Sequence, residues 1–325
     1  LKKAVVGIDI GGTNTKFGIV NNSGKILASG NIRTDSFTDF GSFIGTLVSS
    51  VTEIYNPLMH EYEITGYGTG APNANFFKGI IEEAPNLKWK GIINYNKTLT
   101  KLTGKPSFIT NDANAAAIGE KLFGKAKDLT DFVVLTLGTG LGCGIFSNGK
   151  LLYGSTGHAG ELGHIIVKEN GRQCGCGRRG CLETYASATG ITKTVIELRS
   201  SYLDSILYDT EIKQLNSKLI YEAALKGDSL ALLSFELTGE ILGIALANTA
   251  AVLSPQAIFL LGGLANAGDF IFKPVVKYFE ENLLIVFKNS VKIIPSGLEH
   301  DKAAILGAAA LCWDELYTQV DRSNK

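Results

Sequence analysis

Residues 4–20, AVVGIDIGGTNTKFGIV, and residues 132–146, FVVLTLGTGLGCGIF, decide the fold. Each is an apolar run, a Gly-Thr turn and a second apolar run that returns, the pattern of a buried hairpin. In the first, residues 4–10 form a strand ending beside Asp9, residues 11–14 the turn, and residues 16–20 the return. Asn22-Ser23-Gly24 then turns the chain into a third strand over residues 25–30. The second stretch repeats Gly12-Thr13 as Gly138-Thr139 and Gly18-Ile19 as Gly144-Ile145, at one constant offset. Asn148-Gly149-Lys150 follows it much as Ser23-Gly24-Lys25 follows the first. A single hairpin with an exposed turn is the ordinary reading of either stretch. Two in register argue for an internal duplication, one hairpin per domain.

Paired glycines after a strand let the backbone approach a ligand closely, and Thr13 and Asn14 offer hydrogen bonds to phosphate oxygens. The first turn is neither a Walker GxxxxGK[ST] loop nor the GxGxxG of a dinucleotide fold. Gly11, Gly12, Thr13 and Asn14, facing Gly138, Thr139 and Gly140, can hold a polyphosphate between two lobes. A third turn of this kind, Gly262-Gly263 after the strand Ala257–Leu261 and before a helix over residues 269–284, suits a nucleotide base or ribose.

The intervening chain alternates in type. A helix is expected over residues 37–55, stopped by Pro57, then a strand over 62–67 and a loop, Gly68-Thr69-Gly70-Ala71-Pro72. Residues 73–104 read as loop-rich. A strand over 105–110 runs into Asn111-Asp112-Ala113-Asn114 and an Ala-rich helix over 115–123. Asp112 has two readings, as the helix cap or as a carboxylate whose ionised form the helix dipole favours, ready to act as a general base. Further helices are expected over 181–188, 191–207, 217–226 and Ser229–Leu253, the last as a central core helix. A short strand over 291–294, a packed helix over 303–311 and a frayed tail from 317 to 325 complete the chain.

Residues 158–183, HAGELGHIIVKENGRQCGCGRRGCLE, gather three of the five cysteines. Cys174, Cys176 and Cys181 are spaced for a zinc site, with Gly175, Gly177 and Gly180 letting the backbone wrap tightly. Free thiols or a disulfide in a glycine-rich loop are the plainer alternative. The fourth ligand is His164 or His158. Three thiolates and one neutral imidazole around a dication leave one negative charge, which Arg172, Arg178 and Arg179 stand near enough to offset.

The 325 residues carry no net charge and 45% are hydrophobic, enough for two domains with cores of their own. Balanced charge argues against a nucleic-acid partner, and no apolar run reaches membrane-spanning length. The first strand opens almost at residue 1 with no leader pattern before it, which suggests a cytoplasmic protein with reduced cysteines.

These pieces suit a phosphotransferase acting on a sugar. Asp112 serves as base, Asp9 orients Mg2+ through water, Asn111 donates and accepts, and Glu161 and Glu183 each accept from neighbouring hydroxyls. At this point DIGGTNTKFGIV, NDANAAAIGE, LGTGLGCGI, HAGELGH, CGCGRRGCLE and Leu261-Gly262-Gly263 resemble, in order, the signatures of the ROK family (repressors, open reading frames and kinases). The resemblance covers essentially the whole chain. It implies an α/β, two-lobed, ribonuclease-H-like fold of the actin and hexokinase type with an interlobe cleft. Residues 1–112, joined by the C-terminal helix 303–325, would form the small lobe and residues 113–302 the large one. It further implies ATP-dependent phosphorylation of a hexose at its 6-hydroxyl, D-glucose first, with N-acetylglucosamine, N-acetylmannosamine or fructose as rival substrates. Asp112 would be the base; Asn111, Glu161, His164 and Glu183 would contact sugar. His164, Cys174, Cys176 and Cys181 would hold a structural zinc, and the assembly would be a homodimer. Where relatives carry a G-x-P-G loop after the strand 62–67, this chain has Asn73 as the last residue, which bears on substrate choice. The family's repressors carry an N-terminal winged helix, for which this chain leaves no room before its first strand.

Overall fold

Apolar alternation in the first repeat builds β1 (Lys2–Ile10) and β2 (Asn14–Asn21), and β3 (Ile26–Arg33) follows through the expected turn. The structure, a computed structural model, describes residues 1–323. In chain order come α1 (Phe40–Tyr55), β4 (Tyr62–Gly70), β5 (Ala74–Asn75), β6 (Ile80–Glu82), β7 (Ile92–Ile93), α2 (Tyr95–Thr103), β8 (Ser107–Thr110) and α3 (Asp112–Leu122). The second repeat gives β9 (Phe132–Leu137) and β10 (Leu141–Ser147), followed by β11 (Lys150–Leu151). Then come α4 (Ala188–Leu198), α5 (Ser217–Leu225), α6 (Ser229–Leu253), β12 (Ala257–Leu261), α7 (Asp269–Asn282), β13 (Lys292–Pro295) and α8 (His300–Ser323).

Each repeat seeds a sheet of its own, and the two sheets share one strand order. Among the described residues the larger sheets run β3-β2-β1-β4-β8 and β11-β10-β9-β12-β13. In each, the hairpin is antiparallel and the later strands join parallel to its first strand. The duplication therefore extends from the hairpins to the whole sheet. Its turns differ by one residue: Ile10 pairs with Thr15 across four residues, whereas Leu137 pairs with Leu141 across three.

The chain divides into two compact units, residues 1–128, 151–159 and 297 onward in the first, and 129–150 and 160–296 in the second. In the first, Asp39 caps α1 by accepting from the Ser42 N–H at 2.8 Å. Phe43, Ile44, Leu47 and Val51 of α1 then pack on Ala4, Val6, Ile8, Phe17 and Ile19. The other sheet face takes α8, which is far longer than residues 303–311. It remains helical through Ser323, where the sequence suggests a frayed tail; residues 324 and 325 lie outside the described residues. Glycine makes that packing possible, because a Cβ on Gly7 or Gly68 would meet the backbone carbonyls of Ile305 and Ala308. This also corrects the loop expected at residues 68–70, which is the end of β4, paired with β1 and β8. Gly68→Ala should lower stability by at least about 1–3 kcal/mol, because the colliding atom is helix backbone and cannot rotate away. Thermal unfolding would read this, and an unchanged midpoint would contradict it.

Helix α3 belongs to this unit, although the sequence reading ends the first lobe at residue 112. A Cβ on its Gly119 would lie 2.8 Å from Gly307 Cα of α8, so the two helices touch at their backbones. Residues 151–159 belong here too: Asn75 donates to the Thr156 carbonyl at 3.0 Å, and Phe76 stacks on Tyr153 with centroids 4.3 Å apart.

In the second unit α6 begins and ends as its apolar composition suggests, capped by Asp228. Among the described residues it is the one helix long and apolar enough to cross a membrane, yet much of it is buried. Gly239 and Gly243 bring α7 onto it, and its apolar side chains pack with Ile258, Leu260, Val275 and Phe279. Two expected helices are shorter. Residues 181–187 hold only a 3₁₀ turn, Leu182–Thr184, and α4 runs from Ala188 to Leu198. Residues 73–104, read as loop-rich, contain β5–β7 and α2.

Candidate functional site

Parallel pairing of Asp9 with Gly70, and of Gly70 with Thr110, gathers three strand ends of the first unit. Beyond Thr110 the chain turns into α3. Asn111 is the cap: its Oδ1 accepts from the Asn114 N–H at 2.6 Å. That removes the capping role considered for Asp112, which is the first helical residue and accepts from the next N–H, Ala113, at 2.9 Å. Asp9 and Asp112 flank Gly70, where a Cβ would sit 3.9 Å from Asp9 Oδ1 and 3.5 Å from Asp112 Cα.

Burial pushes the Asp112 carboxyl above the usual range, and two backbone contacts oppose this. The side chain nonetheless remains open to solvent, as a group walled by protein on most sides can be. Helix-dipole stabilisation alone would have predicted the opposite direction; desolvation outweighs it here. Asp9 is pushed up to about 6, first by burial and then by Asp112, while Lys16 acts against both. A crowded carboxylate pair of this kind suits a dication, which would relieve it. Behind it, Thr110 Oγ1 and Asn114 Oδ1 are buried with no hydrogen-bond partner among the described residues.

The first glycine turn is tighter than expected. Asn14 belongs to β2, and Gly11 donates to its carbonyl at 3.0 Å. Gly12 has a reason of its own, since a Cβ there would lie 2.7 Å from the Asn86 carbonyl oxygen. Thr13 stays exposed. Asn73, the departure from the G-x-P-G loop, takes φ of 51°, the left-handed region in which Asn is the best replacement for Gly. The loop backbone thus keeps a glycine-like shape.

In the second unit two of the predicted turns meet. Gly262, with φ of 111°, lies so close to Leu137 that a Cβ would come within 2.6 Å of its carbonyl oxygen. Leu264 donates to that oxygen at 3.1 Å. Gly138 accepts from the Ala188 N–H at 2.9 Å, and Thr139 from the Thr189 hydroxyl at 2.7 Å, which ties the turn to the start of α4. Gly138 and Gly263 have nothing within 4 Å of where a Cβ would stand, leaving backbone that a ligand can approach. Gly140 instead abuts Glu183, with Oε2 2.7 Å from its hypothetical Cβ.

Glu183 leads to the cysteines. Tight turns at Gly177 (φ 88°) and Gly180 (φ 79°) fold the loop back on itself. Isolated bridges pair Ile166 with Cys181 and Gln173 with Arg179. A ring nitrogen of His164 and the sulfurs of Cys174, Cys176 and Cys181 all lie within 4.8 Å of one another, with Nδ1 3.6 Å from the Cys174 sulfur. Tetrahedral zinc bonds of about 2.0–2.3 Å would need ligand separations of roughly 3.3–3.8 Å, so the donors require only a small inward movement. His158, the competing ligand, stands in the first unit, 4.0 Å from Glu82. The backbone N–H and then the guanidinium of Arg178 hold Cys176 low, at about 6, whereas burial pushes Cys174 up to about 12.

Around the imidazole, Nδ1 is 3.7 Å from Glu183 Oε1 and Nε2 3.8 Å from Glu161 Oε2. Both glutamates therefore flank His164, which sits in a 3₁₀ turn, Leu162–His164. Of the three arginines expected to balance the thiolates, Arg178 does so, and it also donates to the His164 carbonyl at 2.9 Å. Arg172 has other work. It binds Glu197 at 2.6 Å and the Thr184 and Gly190 carbonyls, and stacks on Tyr185 at 4.5 Å, bracing the loop against α4. Among the described residues Arg179 reaches Gln173, at 3.5 Å. Sequence reasoning also missed Glu120, fully buried in α3, whose carboxylate accepts backbone N–H groups of Lys125 and Gly297 at 2.7 and 2.9 Å. Nothing in its Ala-rich surroundings signals that role.

The sequence pattern of the ROK family matches residues 5–315. The chain belongs to the ROK family. A glucokinase of Thermotoga maritima is 33% identical over 313 residues, spanning 95% of this chain and 97% of that one. A ROK family glucokinase from Streptomyces griseus, solved in complex with glucose and AMPPNP, is 31% identical with a TM-score of 0.81, covering 95% and 98%. A ROK family transcriptional regulator, a homologue of the E. coli MLC protein, is 28% identical with a TM-score of 0.87, covering 98% of this chain and 79% of its own. The ROK fold of this chain is the α/β, hexokinase-like one expected from its sequence.

Proposed function

We propose that this ROK protein is an ATP-dependent sugar kinase that phosphorylates a hexose, D-glucose first, at the 6-hydroxyl. Asp112 carries the reading: an accessible carboxylate that Asn111 has released from capping and burial has made more basic. A general base works best with its pKa near the operating pH. It would take the hydroxyl proton as that oxygen attacks the γ-phosphorus and ADP leaves. Asn111, Glu161, His164 and Glu183 bind the sugar. ATP is held by Gly11, Gly12, Thr13, Asn14, Gly138, Thr139, Gly140, Gly262 and Gly263; open backbone at Gly138 and Gly263 supports this. Asp9 would hold Mg2+ through water, and the ion would supply positive charge to offset the phosphates. Zinc on His164, Cys174, Cys176 and Cys181 is structural, since four protein ligands leave no place for a reacting water. The glucokinase relatives, one solved with glucose and AMPPNP, support both substrates. A cytoplasmic homodimer with no nucleic-acid partner completes the proposal.

The test is coupled ADP release with glucose, N-acetylglucosamine, N-acetylmannosamine and fructose. Glucose should turn over fastest; a faster N-acetylhexosamine would reassign the substrate and keep the reaction. The reading from a different class is a sugar-binding regulator, as the MLC-like neighbour suggests. Sugar binding by calorimetry with no transfer to any of the four would favour that instead.

A further inference from the structure

Pairing across the first sheet sets four residues in one lateral row. Lys16 of β2 pairs with Asp9 of β1, Asp9 with Gly70 of β4, and Gly70 with Thr110 of β8. Antiparallel partners present their side chains on one face of a sheet, with Cβ atoms about 5 Å apart. That face is the one beneath α8: two residues further along each strand of the hairpin, a Cβ on Gly7 or on Gly18 would meet Ile305. Asp112 stands over the same face, its Cα 3.5 Å from where a Cβ on Gly70 would be. Lys16 therefore shares one side of the sheet with both carboxylates, two strand spacings or roughly 10 Å from Gly70. An extended lysine side chain and a phosphoryl group together span that gap. Thr15 and Phe17 are buried, yet Lys16 between them is exposed and makes no ion pair among the described residues. Its charge still reaches Asp9, where it is the cation opposing burial and Asp112. A lysine with a purely structural task here would close on Asp9; this one is left free beside the Gly11–Gly12 turn.

Resting on the kinase reading, we propose that Lys16 is a catalytic residue whose ammonium donates to a non-bridging oxygen of the γ-phosphoryl group of ATP. As the sugar oxygen bonds to phosphorus, the bond from phosphorus to the bridging oxygen of ADP breaks, and the hydroxyl proton passes to Asp112. The transferred group then has a base on one side and a cation on the other. The ammonium offsets the charge spread over its oxygens, which two nearby carboxylates would otherwise repel.

Lys16→Met keeps much of the side chain's length and removes its charge at an exposed position. It should lower kcat by about 10²–10³-fold, the usual cost of losing one donor to developing charge, with sugar Kd and melting temperature at parental values. Lys16→Arg should recover most of the rate. Calorimetry gives a readout besides turnover. Lys16→Met should bind AMPPNP about tenfold more weakly, and AMP, which has no γ-phosphoryl group, as the parent does. That loss should persist without Mg2+, which separates direct contact from an effect exerted through Asp9. An active parent with a Lys16→Met chain within a few-fold of it overturns the role of Lys16 and leaves the kinase reading standing. A parent that binds AMPPNP but transfers nothing overturns the kinase reading, and AMPPNP against AMP then decides Lys16 by itself. Equal weakening of AMPPNP and AMP, or none, overturns the proposal; a parent that binds no AMPPNP sinks both.

Discussion

Asp112→Asn is expected to lower turnover by roughly 10²–10⁴-fold while sugar affinity and melting temperature stay close to those of the parent. The prediction is sharp because the structural role has gone to a neighbour. Asn111 caps α3, and the replacement amide can still accept from the Ala113 N–H, so folding loses little. Only the proton acceptor disappears. The pH profile adds a second check. Burial raises the Asp112 pKa, and a base must be deprotonated to act, so kcat/KM should rise with pH through a value above the ordinary carboxylate range and then level off. The Asn variant should lose that acid limb. A variant within a few-fold of the parent would return Asp112 to a structural role.

Elemental analysis should find one zinc per chain, and removing it should damage fold and sugar affinity together. Structural zinc contributes on the order of 10 kcal/mol in small modules; a unit with its own core should lose less. Arg172 braces the loop against α4, and the metal would fix the ligand side chains themselves. Gly180 donates to the Arg172 carbonyl and Val167 to the Gly180 carbonyl, but the 3₁₀ turns at 162–164 and 182–184 are too short to orient side chains alone. His164 stands between Glu161 and Glu183, so releasing its Nδ1 frees all three groups. Cys181→Ser, at a fully buried position, should lower the melting temperature and raise the sugar Kd in step. A chelated protein with unchanged melting and unchanged Kd would make the cluster merely a set of thiols.

Much of this was legible from residue order. The repeated hairpins, the Cys174–Cys181 spacing and the helix Ser229–Leu253 are local patterns, governed by periodicity and turn chemistry that act over a few residues. The errors also have local causes. Gly68-Thr69-Gly70 looks like a loop because glycine is a weak strand former, yet glycine alone fits beneath α8. The segment 181–188 looks helical by composition, but Cys181 is held in the cysteine-rich loop and pairs with Ile166 instead.

The sequence by itself determined the hairpin pair, the family and the residue types at the candidate site, because each is written in short-range order. Tertiary structure alone decided that Asn111 caps α3 and that Asp112 does not. It also chose His164 over His158, sent Arg172 to Glu197 and not to the thiolates, and joined the Gly138 and Gly262 turns. Those choices depend on distances between residues far apart in the chain, and such distances exist only once helices and sheets have packed.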